Sequence, residues 1–462
     1  MARSVAGPPG SGPGARQPWP RSRGRLPRAI VRPLQAFLAT EAASGVLLLA
    51  ATVVALAWAN SPWRGLYERV WHTELVIGLG RWRLAHDLHG WVTDGLMTLF
   101  FLVVGLEIKR EILTGELRDP RAAAAPILAA VGGMIVPALL YLAVTDGGPD
   151  ARGWGIPMAT DIAFAVGVLT LVARAAPPGL KPFLLTLAIV DDIGAILVIA
   201  LFYSAGVSPE PLLVAVGLCL LVVVLQRIRV RATAVYVVLG AAVWVAVGAS
   251  GVHPTIAGVV LGLLTPAVPF QRPATVSREA HRVADETVDE PFPPDADAPS
   301  WLYLAGLARE AVSPLARAEA FLHPWVSFLI VPLFALANAG VDLSAGALAD
   351  AAGSATALGV VLGLVVGKPV GIVGASWLAS RSGLGRLPQG AAWRDMAGLG
   401  MVAGIGFTVS LLITELAFGG TPSLEVAKVG ILAASILAGG AGALLLRRTG
   451  RNLREAGPSA DR

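Results

Sequence analysis

Two aspartates stand side by side in the apolar run Leu187-Ala-Ile-Val-Asp191-Asp192-Ile-Gly194. Carboxylates this close share their titration. The pair can therefore hold protons or a cation, each driving the other off, which is the competition an exchange reaction requires. On a helix, adjacent residues point about 100° apart, so the two cannot chelate one ion in the same way. One can face a water-filled funnel while the other faces a neighbouring helix. Hard alkali ions favour oxygen ligands, and Thr160 beside Asp161 can supply another.

Two further charges reach the same level. Asp161 lies 14 residues before Ala175, Asp191 lies 11 residues after Leu180, and Lys368 lies 11 residues before Ala379. At 1.5 Å per residue these offsets are about 21, 17 and 17 Å, roughly the midplane of a bilayer. An ionisable group there costs at least about 2.5 kcal/mol and asks for a function or a partner. The surrounding segments read as interrupted, at Gly155-Ile-Pro157-Met-Ala-Thr160-Asp161 and at Gly398-Leu-Gly400-Met-Val-Ala-Gly404-Ile-Gly406. Paired broken spans in the two halves of a chain point to inverted-topology repeats. Half-helices end in partial charges. Asp161 can balance their N-termini and Lys368 their C-termini, a structural alternative to ion binding. Asp94, deep in the second span, reads as hydrogen-bonded within the bundle.

The elements that carry these residues are membrane helices. The 462 residues are 55% hydrophobic and 15% charged, against about 25% charged for soluble domains. Twelve apolar stretches are expected to span: 38–59, 89–110, 122–144, 156–174, 181–203, 209–226, 231–249, 252–268, 324–343, 355–378, 396–418 and 424–446. A spanning segment must satisfy its own backbone hydrogen bonds, so the fold class is an all-α polytopic membrane protein. Lys109, Arg110, Arg118, Arg121, Arg174, Lys181, Arg227, Arg229, Arg231, Arg381, Arg386 and Arg394 fall in alternate loops, and Arg447, Arg448, Arg451 and Arg454 in the C-terminal tail, while the opposite loops are nearly empty after the first, which carries Arg64, Arg69, Arg81 and Arg83. The positive-inside rule then places both termini in the cytoplasm. The net charge of +5 is explained by this topology, with no nucleic-acid partner. The single cysteine, Cys219, excludes an intramolecular disulfide and a cysteine metal cluster.

Outside the spans, residues 1–34 read as a disordered basic tail, with no cleavable signal peptide. Residues 35–266 carry spans one to eight, 317–447 spans nine to twelve, and 448–462 a second tail. Residues 74–86 read as a β-hairpin about a glycine turn. A lone hairpin is marginal, so it is expected to pair, for instance with its copy in a second subunit. Residues 267–316 read as a flexible cytoplasmic linker, with a Pro- and Asp-rich run at Asp289–Pro299 and a short helix near Trp301–Ala311.

At this point the motifs are recognisable. Val103-Val-Gly-Leu-Glu107-Ile-Lys-Arg-Glu111, Ala159-Thr-Asp161-Ile-Ala-Phe-Ala, the Asp191-Asp192 run, Ser250-Gly-Val-His253, His323-Pro-Trp, Leu333-Phe-Ala-Leu-Ala-Asn-Ala-Gly340 and Gly367-Lys368-Pro369 together resemble the NhaA family of bacterial Na⁺/H⁺ antiporters. The resemblance runs from about Gln35 to Leu446 and omits the linker. It implies electrogenic Na⁺ or Li⁺ exchange for protons by alternating access in the bacterial inner membrane, without a cofactor. By that likeness Asp192 is the principal cation ligand and Asp191 a proton carrier paired with Lys368 in the empty site. Thr160 and Asp161 support the crossing helices. Glu107, Arg110, Glu111, His253, Glu319 and His323 match positions tied to pH activation, and the hairpin matches a homodimer contact. Two departures lie on the cytoplasmic side, where they bear on the pH profile and not on the transport core. Ala320 stands where the family has a further histidine, and the linker is longer.

Simpler readings stand beside several of these. His253 can be a helix-start histidine with no sensing role, and Glu107 with Glu111 a solvated charged helix end. Two other functions fit the buried carboxylates less well. An intramembrane aspartyl protease would set two carboxylates to general acid/base work, but Ile189-Val190 precede Asp191 where a Gly-x-Gly type loop is expected. A passive cation channel needs no paired broken spans.

Overall fold

The computed structural model describes residues 42–79, 82–172, 177–204, 206–286 and 298–455. The N-terminal tail and most of the Asp289–Pro299 run lie outside them. In chain order the elements are α1 (Ala42–Ala59), α2 (Arg64–Trp71), β1 (Glu74–Leu79), β2 (Trp82–Asp87), α3 (Leu88–Thr114) and α4 (Pro120–Val144). There follow α5 (Pro149–Met158), α6 (Ile162–Val172), α7 (Leu180–Phe202), α8 (Pro209–Arg227), α9 (Thr233–Ala249) and α10 (Thr255–Leu264). The second half comprises α11 (Pro273–Glu286), α12 (Ala298–Glu310), α13 (Pro314–Asn338), α14 (Ala345–Gly353), α15 (Ala355–Arg381), α16 (Trp393–Ala403), α17 (Phe407–Phe418) and α18 (Ser423–Glu455).

Among the described residues, seven helices are long and apolar enough to cross a membrane, or ten if each of three bent pairs is one span. Reaching twelve requires α9 and α10, which are shorter apolar helices. The bent pairs are of two kinds. The α1–α2 pair turns by 116°, and α2 carries Arg64, Glu68 and Arg69, so α2 folds away from α1 rather than continuing it. The α5–α6 and α16–α17 pairs bend by only 44° and 47°, at breaks of a few residues. These are the two interruptions that the Pro and Gly spacing predicts.

Short polar residues set the helix starts. The Asp119 side chain accepts from Arg121 N at 3.0 Å with Pro120 in the first turn of α4, the pairing of cap and N-terminal proline that leaves fewest orphan donors. Asp87 closes β2 and opens α3, accepting from Gly90 N at 2.8 Å and facing His72 Nδ1 at 3.0 Å. The hairpin is antiparallel, with Glu74 opposite Asp87 and Val76 opposite Ala85. It is pinned to α3 where Trp91 Nε1 donates to Leu75 O.

Two structural features of 267–316 were not read from the sequence. Besides α12, which matches the expected short helix, the segment forms α11, and Arg231 pairs with Glu310 while the Phe270 and Gln271 amides donate to Glu310 O. The described part of the linker is therefore helical and tied to the α8–α9 turn. The C-terminal tail expected from residue 448 likewise begins inside α18, which continues to Glu455.

Helix α15 positions Lys368, and it does so by close packing. α15 lies along α4, and a Cβ added at Gly371 would collide with the Gly132 carbonyl. Small residues permit such backbone approach between membrane helices. Gly374, one turn on, has nothing within 4 Å of the same added atom. Gly371→Ala is expected to destabilise the detergent-purified protein by about 1–3 kcal/mol, the usual cost of overpacking. Gly374→Ala should be neutral or gain up to about 1 kcal/mol from helix propensity. Thermal unfolding of both variants checks this, and equal effects would remove Gly371 as a packing constraint.

Candidate functional site

The two breaks meet. Asp161 N donates to Ile405 O at 2.7 Å, joining the gap between α5 and α6 to the gap between α16 and α17. Thr160 Oγ1 lies within hydrogen-bond reach of Ala403 O at 2.9 Å, the last residue of α16, and of Asp191 Oδ2 at 2.7 Å. Ser410 on α17 donates to Ile156 O on α5 at 2.7 Å. Each unwound segment thus spends its free carbonyls and amides on the other, as backbone away from water must.

Charges complete the balance of the half-helix ends. Asp161 is 2% exposed. Its Oδ1 accepts from Phe164 N at 3.1 Å, and its Oδ2 from Thr408 N at 3.1 Å and Thr408 Oγ1 at 2.7 Å. One carboxylate therefore caps the N-termini of both α6 and α17, where partial positive charge collects. Lys368 is fully buried and donates to Met158 O, the C-terminal residue of α5, and to Asp191 Oδ2 at 2.5 Å. It follows a wide turn at Gly363–Gly367 in α15, the kind of local irregularity that recurs at functional positions.

The vicinal aspartates separate in their engagement. Asp191 is 1% exposed, and its Oδ2 takes both the Lys368 ammonium and the Thr160 hydroxyl. Its Oδ1 has no hydrogen-bond partner among the described residues. Asp192 is also buried, and among the described residues no side chain or amide donates to it. Glu107 on α3 is close enough to act on Asp192 electrostatically, as are Asp191, Asp161 and Lys368. The arrangement offers one carboxylate tied to a lysine and a second with its acceptor capacity free. A compact hard cation or a proton can take that capacity.

The six residues matched to pH activation do not form one cluster. Arg110 on α3 pairs with Glu319 on α13. Glu111, a neighbour in sequence, accepts from Glu116 N at 2.6 Å and lines a cavity of about 840 Å³ with Thr114, Glu116, Arg118, Asp119 and Lys181. Thr186 also lines that cavity, five residues before Asp191 on α7 and so about 7 Å along the helix axis from it. His323 is exposed. His253 sits at the opposite, hairpin end, with Nε2 3.4 Å from Asp94 Oδ1 and Nδ1 2.7 Å from Thr255 Oγ1. Asp94, expected to be bonded within the bundle, thus faces a histidine just before the neighbouring helix α10.

Sequence reasoning missed Thr408, Ser410 and the Met158 and Ala403 carbonyls as members of the site. The Gly404-Ile-Gly406 break announced an irregular backbone, and Thr408 two residues later is a natural donor at a helix start. Carbonyl partners carry no residue signature.

The sequence matches the model of the family described as Na⁺/H⁺ antiporter 1 over residues 35–446. It is 50% identical over 418 residues to the Na⁺/H⁺ antiporter NhaA 2 of Sorangium cellulosum, covering 89% of each chain. It is 47% identical to the Na⁺/H⁺ antiporter NhaA of Cupriavidus necator, over 92% of this chain and 91% of that one. Against the Na⁺/H⁺ antiporter NhaA 3 of Frankia alni it is 46% identical, over 99% of this chain and 96% of that one. Among solved structures it is similar to the sodium proton antiporter MjNhaP1 of Methanocaldococcus jannaschii, with a TM-score of 0.48, 12% identity, and coverage of 92% and 98%.

Proposed function

We propose, because this chain belongs to the Na⁺/H⁺ antiporter 1 family, that its two aspartates exchange Na⁺ or Li⁺ for protons by alternating access. It is a multi-pass membrane antiporter and not an enzyme. The observation that carries the assignment of roles is the unequal engagement of the vicinal pair. Asp191 is held by Lys368 and Thr160, while Asp192 has no donor among the described residues. In this reading Asp192 takes the cation. A cation arriving there displaces the proton that Asp192 carries in the empty site and competes for the negative charge that Lys368 neutralises, so the Lys368–Asp191 pair loosens and the ammonium also gives up a proton. More than one proton then leaves per cation, which makes the exchange electrogenic. Proton return restores the pair and expels the cation.

The bent pairs α5–α6 and α16–α17 serve as the crossing helices of an inverted repeat, with Thr160 and Asp161 binding one to the other. The spans number twelve and both termini face the cytoplasm of a bacterial inner membrane, which the Lys and Arg distribution supports. The cavity at Glu111 and Lys181 is then the cytoplasmic mouth. Glu107, Arg110, Glu111, Glu319 and His323 sense pH at that mouth, His253 answers from the outer side, and the hairpin joins two copies.

The direct test is everted vesicles containing the chain, preloaded with a pH gradient. Added Na⁺ or Li⁺ is expected to dissipate the gradient, and an imposed membrane potential to change the rate because exchange is electrogenic. A gradient untouched by either cation across the pH range would sink the exchanger reading, and dissipation of a Na⁺ gradient without proton movement would favour a passive channel.

A further inference from the structure

A second group of buried charges lies at the hairpin end, apart from the aspartates. Glu415 on α17 has its Oε1 2.6 Å from Lys428 Nζ on α18 and 3.6 Å from His89 Nε2 on α3. His89 Nε2 is also 3.0 Å from Asn338 Oδ1, at the C-terminal end of α13. The side chains of Lys428, Glu415 and His89 are 8%, 14% and 23% exposed, so all three are largely withdrawn from solvent.

The four residues come from two packing groups. α17 and α18 pack on each other, and α3 packs on α13. The cluster is where those groups touch at this end. Glu415 follows Thr408 by seven residues, which puts it on the same face of α17 and about 10 Å farther along the axis. Leu411 and Leu412, both fully buried, fill the turn between them. From Asp161 outward the order is thus Thr408, a buried leucine turn, then a carboxylate and ammonium in contact.

We infer that Glu415, Lys428 and His89 form the outer gate of the transport path, closed here, which must part before a cation can pass between the aspartates and the hairpin side. This rests on the antiporter reading above. A buried ion pair is weak evidence for stability, since replacing it with apolar groups is often neutral. Its best-attested use is to select one arrangement over another. Helices that must separate and rejoin at each cycle need such a reversible contact, and a purely apolar seam would not specify the closed register. The cavity at Glu111, open at the other end, agrees with a state sealed on this side.

The test reads accessibility. Leu411→Cys is placed in a Cys219→Ser background, leaving one thiol, and a membrane-impermeant maleimide is added from the hairpin side. Removing either charge, by Glu415→Gln or Lys428→Gln, is expected to raise the labelling rate about tenfold by shifting the closed population toward open. The charge swap Glu415→Lys with Lys428→Glu should return it toward the starting rate. His89→Ala keeps the pair and removes its cross-group arm, so it should raise labelling several-fold even if the charge-loss variants fail to reach the membrane. Unchanged labelling in the variants that do insert, or a swap that labels as fast as the single changes, overturns the gate. Sodium-driven proton movement by the unmodified chain is followed in parallel. Its absence counts against the exchanger itself, whereas unaltered labelling with exchange intact counts against the gate alone.

Discussion

Asp192→Asn is expected to abolish Na⁺- and Li⁺-driven proton movement while leaving the folded protein intact. Asparagine keeps the shape of the side chain and removes its charge. Among the described residues nothing donates to Asp192, so no native hydrogen bond is lost and the fold should notice little. The cation loses a buried carboxylate that no donor among the described residues occupies. Such a contact is worth several kcal/mol in a low-dielectric site, and each 1.4 kcal/mol or so is tenfold, so affinity should fall by about a hundredfold or more. Vesicle exchange together with the thermal unfolding midpoint checks both halves. Full exchange by Asp192→Asn would remove Asp192 as the cation ligand.

The second large effect concerns the lysine pair. Lys368→Gln alone leaves the Asp191 carboxylate buried with only Thr160 and strips the charge from the donor at the end of α5. Removing one partner of a buried pair typically costs about 3–5 kcal/mol, so this variant should unfold at markedly lower temperature. Asp191→Asn combined with Lys368→Gln removes both charges and should recover most of that stability. Exchange by the double variant should continue with altered stoichiometry or electrogenicity, because one titrating carboxylate is gone. If the double variant is as unstable as the single, the pair is structural and its part in proton coupling falls.

How far the site could be read beforehand depended on the kind of residue. Asp161, Asp191, Asp192 and Lys368 were legible because a charge in an apolar run is costly wherever it sits, and helix rise alone put them at one depth. The structure joins two of them directly, Lys368 to Asp191, and places Thr160, the residue before Asp161, between Asp191 and the Ala403 carbonyl of the other break. The breaks were legible from glycine and proline. What they bond to was not, because a carbonyl such as that of Met158 or Ala403 looks the same in every residue. Glu415, His89 and Lys428 were passed over for a different reason. Each lies near the end of an apolar stretch, where a charge reads as a solvated helix terminus, and only packing shows that three such ends converge. Helix α11 escaped because its sequence is polar on most sides and lies beside a Pro- and Asp-rich run that suggested an irregular linker.

A cation and protons compete for the same pair of carboxylates. Na⁺ binding to the purified protein, measured by calorimetry at several pH values in two buffers of different ionisation heat, reads that competition. Linkage requires the apparent affinity to rise with pH, about tenfold per unit for each proton displaced, with matching proton release into the buffer. An affinity that stays constant with pH, with no protons released on binding, would rule that competition out.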